Sequence, residues 1–473
     1  MVFLFLYPLM FLNIIQAKNM SFRKEIRLFD AVMLVSGTMI GSGIFIVSSD
    51  IAQKMQSSSG LLWVWLLTGI ITMAGALSYG ELAALMPQAG GQYVFLRKTY
   101  NSLVAFLYGW TVLAVIQTGT IAAVAVAFAN FSGELLPFIS KKNIILEVGN
   151  FKIASNQLLA IGIIWLLTFI NAKGVKYGTI IQNLFGSTKI IALVVLLLII
   201  FIFGRNAEAI ELNFGKYWAV PDTMSWQDFV PLMAVAMIGS LFSSDAWNNI
   251  SFAGDEIIDP EKTIPRSLAI GTGLVTLIYL LTNFAYLLAL PLPQIQGNDL
   301  VATTAAFNVL GKVGLLLVSV LIMVSTFGSD NGCILSGARV YYAMAKDGLF
   351  FSALGKLNKN DVPQNALVVQ AAWASVLCLS GAYNDLLGYV MFAVMLFYFL
   401  TILAIFILRK KTPDAPRSYR AFGYPFVPAL YLLLITIISV LWLIQEPYTR
   451  YGFLIVLTGL PVYVFLKRKG EPK

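Results

Sequence analysis

Apolar residues recur along the chain in runs long enough to cross a bilayer, separated by short polar stretches. The runs fall at about 28–54, 60–85, 99–135, 156–172, 180–203, 228–254, 267–292, 310–345, 366–382, 385–408, 424–444 and 450–466, here spans 1 to 12. The pattern predicts an all-α membrane protein with 12 transmembrane helices. Composition agrees. The 473 residues are 59% hydrophobic and only 12% charged, about half the charge that covers a soluble domain of ordinary composition.

Two spans are interrupted. Span 1 reads Gly37-Thr38-Met39-Ile40-Gly41-Ser42-Gly43-Ile44-Phe45, and span 6 reads Gly239-Ser240-Leu241-Phe242-Ser243-Ser244-Asp245-Ala246-Trp247-Asn248. Unwound backbone survives at membrane depth only where it lines a protein cavity. Interruptions at matching depths of two five-helix halves point to a transporter built from inverted repeats, with its site near the midplane. The halves are 28–203 and 228–408, preceded by an N-terminal segment, 1–27, and followed by two appended helices and a tail, 409–473. A helix that restarts at Gly43 offers free N–H groups and a positive dipole end to a carboxylate. Unwound carbonyls near Ile40 and Phe242 to Ser244 are expected to accept from an ammonium, so a zwitterionic amino acid headgroup suits both partners. A small-residue packing seam is the plainer reading of Gly41-Ser42-Gly43 taken alone.

Charge sets orientation. With the N-terminus placed in the cytoplasm, 23 of the 32 Lys and Arg residues fall on the inner side and 8 on the outer, with Lys189 inside span 5. The positive-inside rule then puts both termini in the cytoplasm of a multi-pass protein of the plasma (inner) membrane. The net charge of +9 follows from that bias and calls for no nucleic-acid partner. Met1 to Asn19 is apolar without a basic leader or a small-residue cleavage site. It reads as an upstream start assigned in error, Met20 opening the polar run Met20-Ser21-Phe22-Arg23-Lys24-Glu25, or else as an interfacial segment. The chain has no histidine, which excludes His-based triads, zinc sites, haem ligation and His proton relays. Its two cysteines, Cys333 and Cys378, lie in apolar spans and read as small buried residues. No cofactor and no metal are implied. With no nucleophile–base pair in sight, an enzyme is not expected.

Gly37 to Phe45 resembles the unwound first helix of amino acid permeases of the APC superfamily. Ser78-Tyr79-Gly80-Glu81-Leu82 with Pro87-Gln88-Ala89-Gly90-Gly91-Gln92-Tyr93 is similar to that family's link from helix 2 to helix 3. Phe242 through Trp247-Asn248-Asn249, then Gly254 to Pro260 and Ile264-Pro265-Arg266, resembles its L-type amino acid transporter branch. The resemblance implies a LeuT-like 5+5 inverted repeat with discontinuous helices 1 and 6, working by alternating access. It implies a substrate site at Thr38, Met39, Ile40, Gly41, Ser42, Gly43, Phe242, Ser243, Ser244 and Asp245, with Phe242 as gate. Animal members of that branch join a heavy chain through a cysteine between helices 3 and 4. The matching stretch here, Pro137 to Asn156, has none, so no disulfide-linked heavy chain is expected.

Lys189 has two readings: a structural ion pair with Asp330, or, by the resemblance, an ammonium standing where relatives hold sodium and bracing helix 1 against helix 8. Asp245 likewise reads as an N-cap of the second half-helix or as a charge beside the substrate. Trp247, Asn248 and Asp330 are supporting residues. The expected function is a sodium-independent secondary transporter of amino acids, neutral or cationic, acting as exchanger or facilitator. The alternatives are an amino acid sensor on the same fold, or a proton-coupled, cationic amino acid or amine antiporter.

Overall fold

The computed structural model describes residues 22–148, 151–221, 224–298, 300–380, 383–446 and 449–469. Met1 to Asn19 lies outside them. Among the described residues ten helices are long and apolar enough to cross a membrane, or eleven when the bent pair Leu28–Met39 and Gly43–Met55 is taken as one. The sequence predicted twelve. The position of span 9 is filled by Gln364–Leu379, only 16 residues long, which falls short of a full crossing for an upright helix.

Helix ends follow local chemistry. Ser57 caps Ser58–Leu85 by accepting from the Gly60 amide at 3.1 Å, and Asn101 caps the start of span 3 by accepting from the Val104 amide at 3.0 Å. Span 3 runs Ser102–Thr111, through a π-helical turn at Val112–Ile116, to Gln117–Leu135. Such a turn adds a residue to the helix and re-aims the side chains that follow. After span 3 the strands β1, Ile144–Val148, and β2, Phe151–Ala154, form an antiparallel hairpin.

The helices pack in matched sets. Spans 2 and 7 pack together, as do 3 and 8, and 4 and 9. Span 1 packs on 5 and 7 while span 6 packs on 10 and 2; span 3 packs on 4 while 8 packs on 9; span 5 packs on 8 while 10 packs on 3. Adding five to both members of a pair, and counting on from ten to one, turns each set into its counterpart. Long apolar side chains such as Ile191, Ile202, Leu433 and Ile444 stay exposed on the outside of the bundle, as a bilayer-facing surface requires.

Candidate functional site: two apposed helix breaks

The first half of span 1 ends at Met39, and Ile40, at φ −76° and ψ 92°, leaves the helix. A helix C-terminus strands its last carbonyls. Here all four are taken by side chains from other spans. Lys189 donates to Gly37 O and, at 2.5 Å, to Ile40 O. Ser329 Oγ donates to Thr38 O, and Tyr279 Oη to Met39 O at 3.1 Å. Ser325 Oγ reaches Ile40 O at 3.0 Å and Gly41 O at 3.1 Å, and Lys189 also donates to Ser325 O at 3.1 Å. The Lys189 ammonium is fully buried among carbonyls of spans 1 and 8.

This arrangement corrects two expectations. Ile40 O already accepts from Lys189 and has Ser325 Oγ, shared with Gly41 O, at 3.0 Å, so it is not the free acceptor expected for a substrate ammonium. Lys189 makes no ion pair with Asp330, whose two carboxylate oxygens have no hydrogen-bond partner although the residue is buried. Helical phase explains the miss: Ser325 and Ser329 are one turn apart and face span 1, while Asp330 is turned about 100° away.

The second half of span 1 begins at Gly43, bent 41° from the first. A Cβ at Gly43 would lie 1.9 Å from Ser243 Oγ and 2.6 Å from Ser243 Cβ. Only glycine allows this approach, and it sets the two breaks against each other. Span 6 unwinds after Ser243, with the next helical turns at Asn249–Phe252. Its stranded carbonyls are met nearer home: Ser244 N donates to Ser240 O and Leu241 O, and Asp245 N to Phe242 O at 3.2 Å. Tyr279 Oη, which already reaches Met39 O, also reaches Ser243 O at 2.9 Å and so ties the two breaks together. Phe242 is half-buried at the edge of the core, and Ser243 Oγ turns back onto Gly239 O at 2.7 Å.

Asp245 does not cap the second half-helix. Ala246 takes a left-handed φ of 67°, Asn248 is the residue before the helix, and it makes no side-chain cap. Asp245 Oδ1 instead accepts from Tyr398 Oη at 2.6 Å, and Trp247 stacks on the Tyr398 ring at 4.9 Å. Asp245 lines a small cavity of about 20 Å³, room for about one water, with Gln92, Tyr108, Gln117, Asn248 and Tyr398 among its walls. Asn248 Nδ2 donates to Gln92 Oε1 at 2.9 Å, leaving Gln92 Nε2 buried without a partner. Gln92 is positioned by Gly90 and Gly91, both at positive φ; a Cβ at Gly91 would lie 2.2 Å from Ser251 Oγ.

Sequence reasoning missed Tyr279, Ser325, Ser329, Tyr398 and Gln92. The i, i+4 spacing of Ser325 and Ser329 was the available signal; for the two tyrosines, only their depth within apolar spans was. Toward the inner helix ends, Glu81 is held by Arg409 at 2.6 Å, Arg417 at 3.2 Å and the Ala421 amide at 2.7 Å, which fastens span 2 to the segment after span 10. Tyr93, outside the spans, donates to Asp347 Oδ2 at 2.9 Å; burial first, then the Asp347 charge, hold its phenol well above the usual range.

The amino acid permease family model matches residues 26–465. The human large neutral amino acids transporter small subunit 2 is 30% identical over 452 residues, covering 94% of this chain and 81% of the relative. The mouse Asc-type amino acid transporter 1 is 29% identical over 463 residues, 96% and 84% of the two chains, and the mouse b(0,+)-type amino acid transporter 1 is 27% identical over 460, 95% and 89%. The name of the first marks that relative as a small subunit, which bears against the expectation of no disulfide-linked heavy chain.

Proposed function

This chain belongs to the amino acid permease family, in the L-type branch of the APC superfamily, and from that premise we propose that it carries amino acids across a membrane at the apposed breaks of spans 1 and 6. It is a transporter, not an enzyme, and a multi-pass membrane protein. The observation that carries the reading is Lys189. Its buried ammonium satisfies carbonyls of spans 1 and 8 at once, a task a sodium ion would otherwise perform, so transport runs without sodium.

In this reading the amides that open the helix at Gly43, with Ser42 and Gly41 before them, take the substrate carboxylate. The ammonium is left to Met39 O, Thr38 O and the turn Phe242–Ser243–Ser244, because Ile40 serves the lysine. Phe242 covers the substrate as a gate, and Asp245, freed from Tyr398, admits a cationic side chain. Trp247 and Asn248 hold the turn. Residues 28–203 and 228–408 act as two inverted five-helix repeats, a division that the matched packing of spans supports. The bias of Lys and Arg argues for both termini in the cytoplasm of the plasma (inner) membrane. Relatives named as small subunits argue for a partner chain. A disulfide to it would need an exposed thiol, and Cys333 and Cys378 are both buried, so the association is non-covalent.

Counterflow of each of the twenty amino acids into proteoliposomes tests the proposal. Equal rates in sodium and in choline buffers are expected for those carried. Strict dependence on sodium would overturn the role given to Lys189, and binding without counterflow would make the protein a sensor.

A further inference from the structure

Asp330 is the acid that the transport site does not use. It is 1% exposed, and both of its carboxylate oxygens lack a hydrogen-bond partner. Gly337 lies two turns further on the same face of span 8, and a Cβ there would meet Gln117 of span 3 and Gln370 of span 9. Asp330 therefore faces spans 3 and 9, away from the substrate breaks.

The titratable groups around it are few. Span 4 has no acid, base, thiol or phenol, and span 9 has only Cys378. Span 3 has Tyr108 and Glu134, near its two ends. Lys189 of span 5 is committed to three carbonyls, and Asp30, at the other end of the first half-helix, pairs with Asn183 and the Arg27 amide. The thiols on the packed faces are Cys333, one turn along its own helix, and Cys378 on span 9, which packs on span 8.

Each thiol borders a different cavity. Cys378, with Ala122, Ala123, Val126 and the two cations Lys141 and Lys152, lines a cavity of about 270 Å³ under the β1–β2 hairpin. Cys333 lines the small cavity beside Asp245, together with Gln117 and Thr120. The unpartnered acid lines neither cavity itself; the thiol one turn along its own helix borders the substrate-side cavity, and span 9, which it faces, brings a thiol to the hairpin-side one. Its flanking residues tie span 8 to spans 1 and 5: Ser329 donates to Thr38 O, and Asn331 Nδ2 to Gly178 O at 3.0 Å and Gln182 Oε1 at 3.1 Å. Beyond them Gln117 Nε2 donates to Cys333 O at 2.8 Å.

We propose that Asp330 is a proton-carrying site that links amino acid uptake to inward proton movement. The inference rests on the transport reading above and adds the coupling ion to it. A proton from water in the hairpin-side cavity binds a carboxylate oxygen, which makes the group neutral and lets span 8 stay packed on spans 3 and 9. When the substrate-side cavity opens, the proton leaves to water past Cys333 and the carboxylate returns to its charged form. No bond other than O–H is made or broken. An ionised carboxylate without donors is poorly tolerated in so dry a place, so the two protonation states favour different packings.

The test uses the purified full-length protein in liposomes that contain the pH dye pyranine, with the amino acid that counterflows fastest. Imposing about pH 5.5 outside against about pH 7.5 inside is expected to raise initial uptake several-fold in the wild type, with internal acidification that needs the amino acid. Asp330→Asn is expected to lose the stimulation and the acidification while keeping counterflow at equal pH. Asp330→Val serves the same purpose if the first variant does not fold. A wild type that counterflows but shows neither stimulation nor acidification would overturn the inference and leave the transport reading standing. So would a variant that keeps both signals. A wild type that counterflows none of the twenty amino acids removes the transport reading and this inference with it.

Discussion

The two breaks are held in opposite ways. At span 1 every stranded carbonyl from Gly37 to Ile40 is met by a side chain from spans 5, 7 or 8, one of them a buried cation. At span 6 the carbonyls of Ser240, Leu241 and Phe242 are met by amides two to four residues along, and only Ser243 O depends on another span, through Tyr279. The first break is a joint assembled by the tertiary fold; the second is largely a local turn. A local turn leaves its side chains free for other uses, and those of Asp245 and Asn248 line the cavity. The difference assigns structural hold to the first break and side-chain selectivity to the second.

Substitutions can break this contrast, beginning with the largest effect. Lys189→Ala removes two donors from the first joint at once and should abolish counterflow, while the protein still reaches the membrane and elutes as a single species in size-exclusion chromatography. Failure to accumulate at all would make the lysine a folding requirement and no more. Gly43→Ala comes next. Its Cβ cannot fit beside Ser243, so counterflow should fall by about tenfold or more, roughly 1.4 kcal/mol or above. Ser243→Gly in the same chain should restore much of it, since the obstructing Cβ and Oγ are gone. No rescue would mean that the two breaks do not meet there.

Tyr279→Phe should be milder. It leaves Met39 O and Ser243 O without their shared donor, a loss of about 1–3 kcal/mol if neither finds water, read as a lower thermal unfolding temperature. Asp245→Asn should have the smallest effect on the fold and on neutral substrates, with uptake of cationic amino acids falling sharply. An unchanged profile across neutral and basic substrates would show that Asp245 serves Tyr398 alone.

Much of this was legible in the sequence. Gly41, Gly43 and the polar run from Ser243 to Asp245 marked both breaks, because glycine and unpaired polar groups have few other uses at that depth. A lysine within span 5 was bound to have buried partners. What those partners were was not legible, since backbone carbonyls have no residue code. An acid on span 8 invited a pairing that only the phase of that helix excludes. Asp245 misled in another way. Its capping propensity is real, but Ala246 turns the chain at positive φ and delays the helix to Asn249, a tertiary outcome that local preference does not contain. Among the described residues the place of span 9 holds Gln364–Leu379, 16 residues long, so helix length alone does not count it as a crossing.

The central claim is that an amino acid sits where the two breaks meet, and substrate protection tests it most directly. In a background with Cys333→Ser and Cys378→Ala, a single Ser42→Cys thiol reports on the unwound turn and an Ile191→Cys thiol on the bilayer-facing surface. A saturating transported amino acid should slow alkylation at position 42 and leave position 191 unaffected. Equal alkylation at position 42 with and without the amino acid would contradict the account.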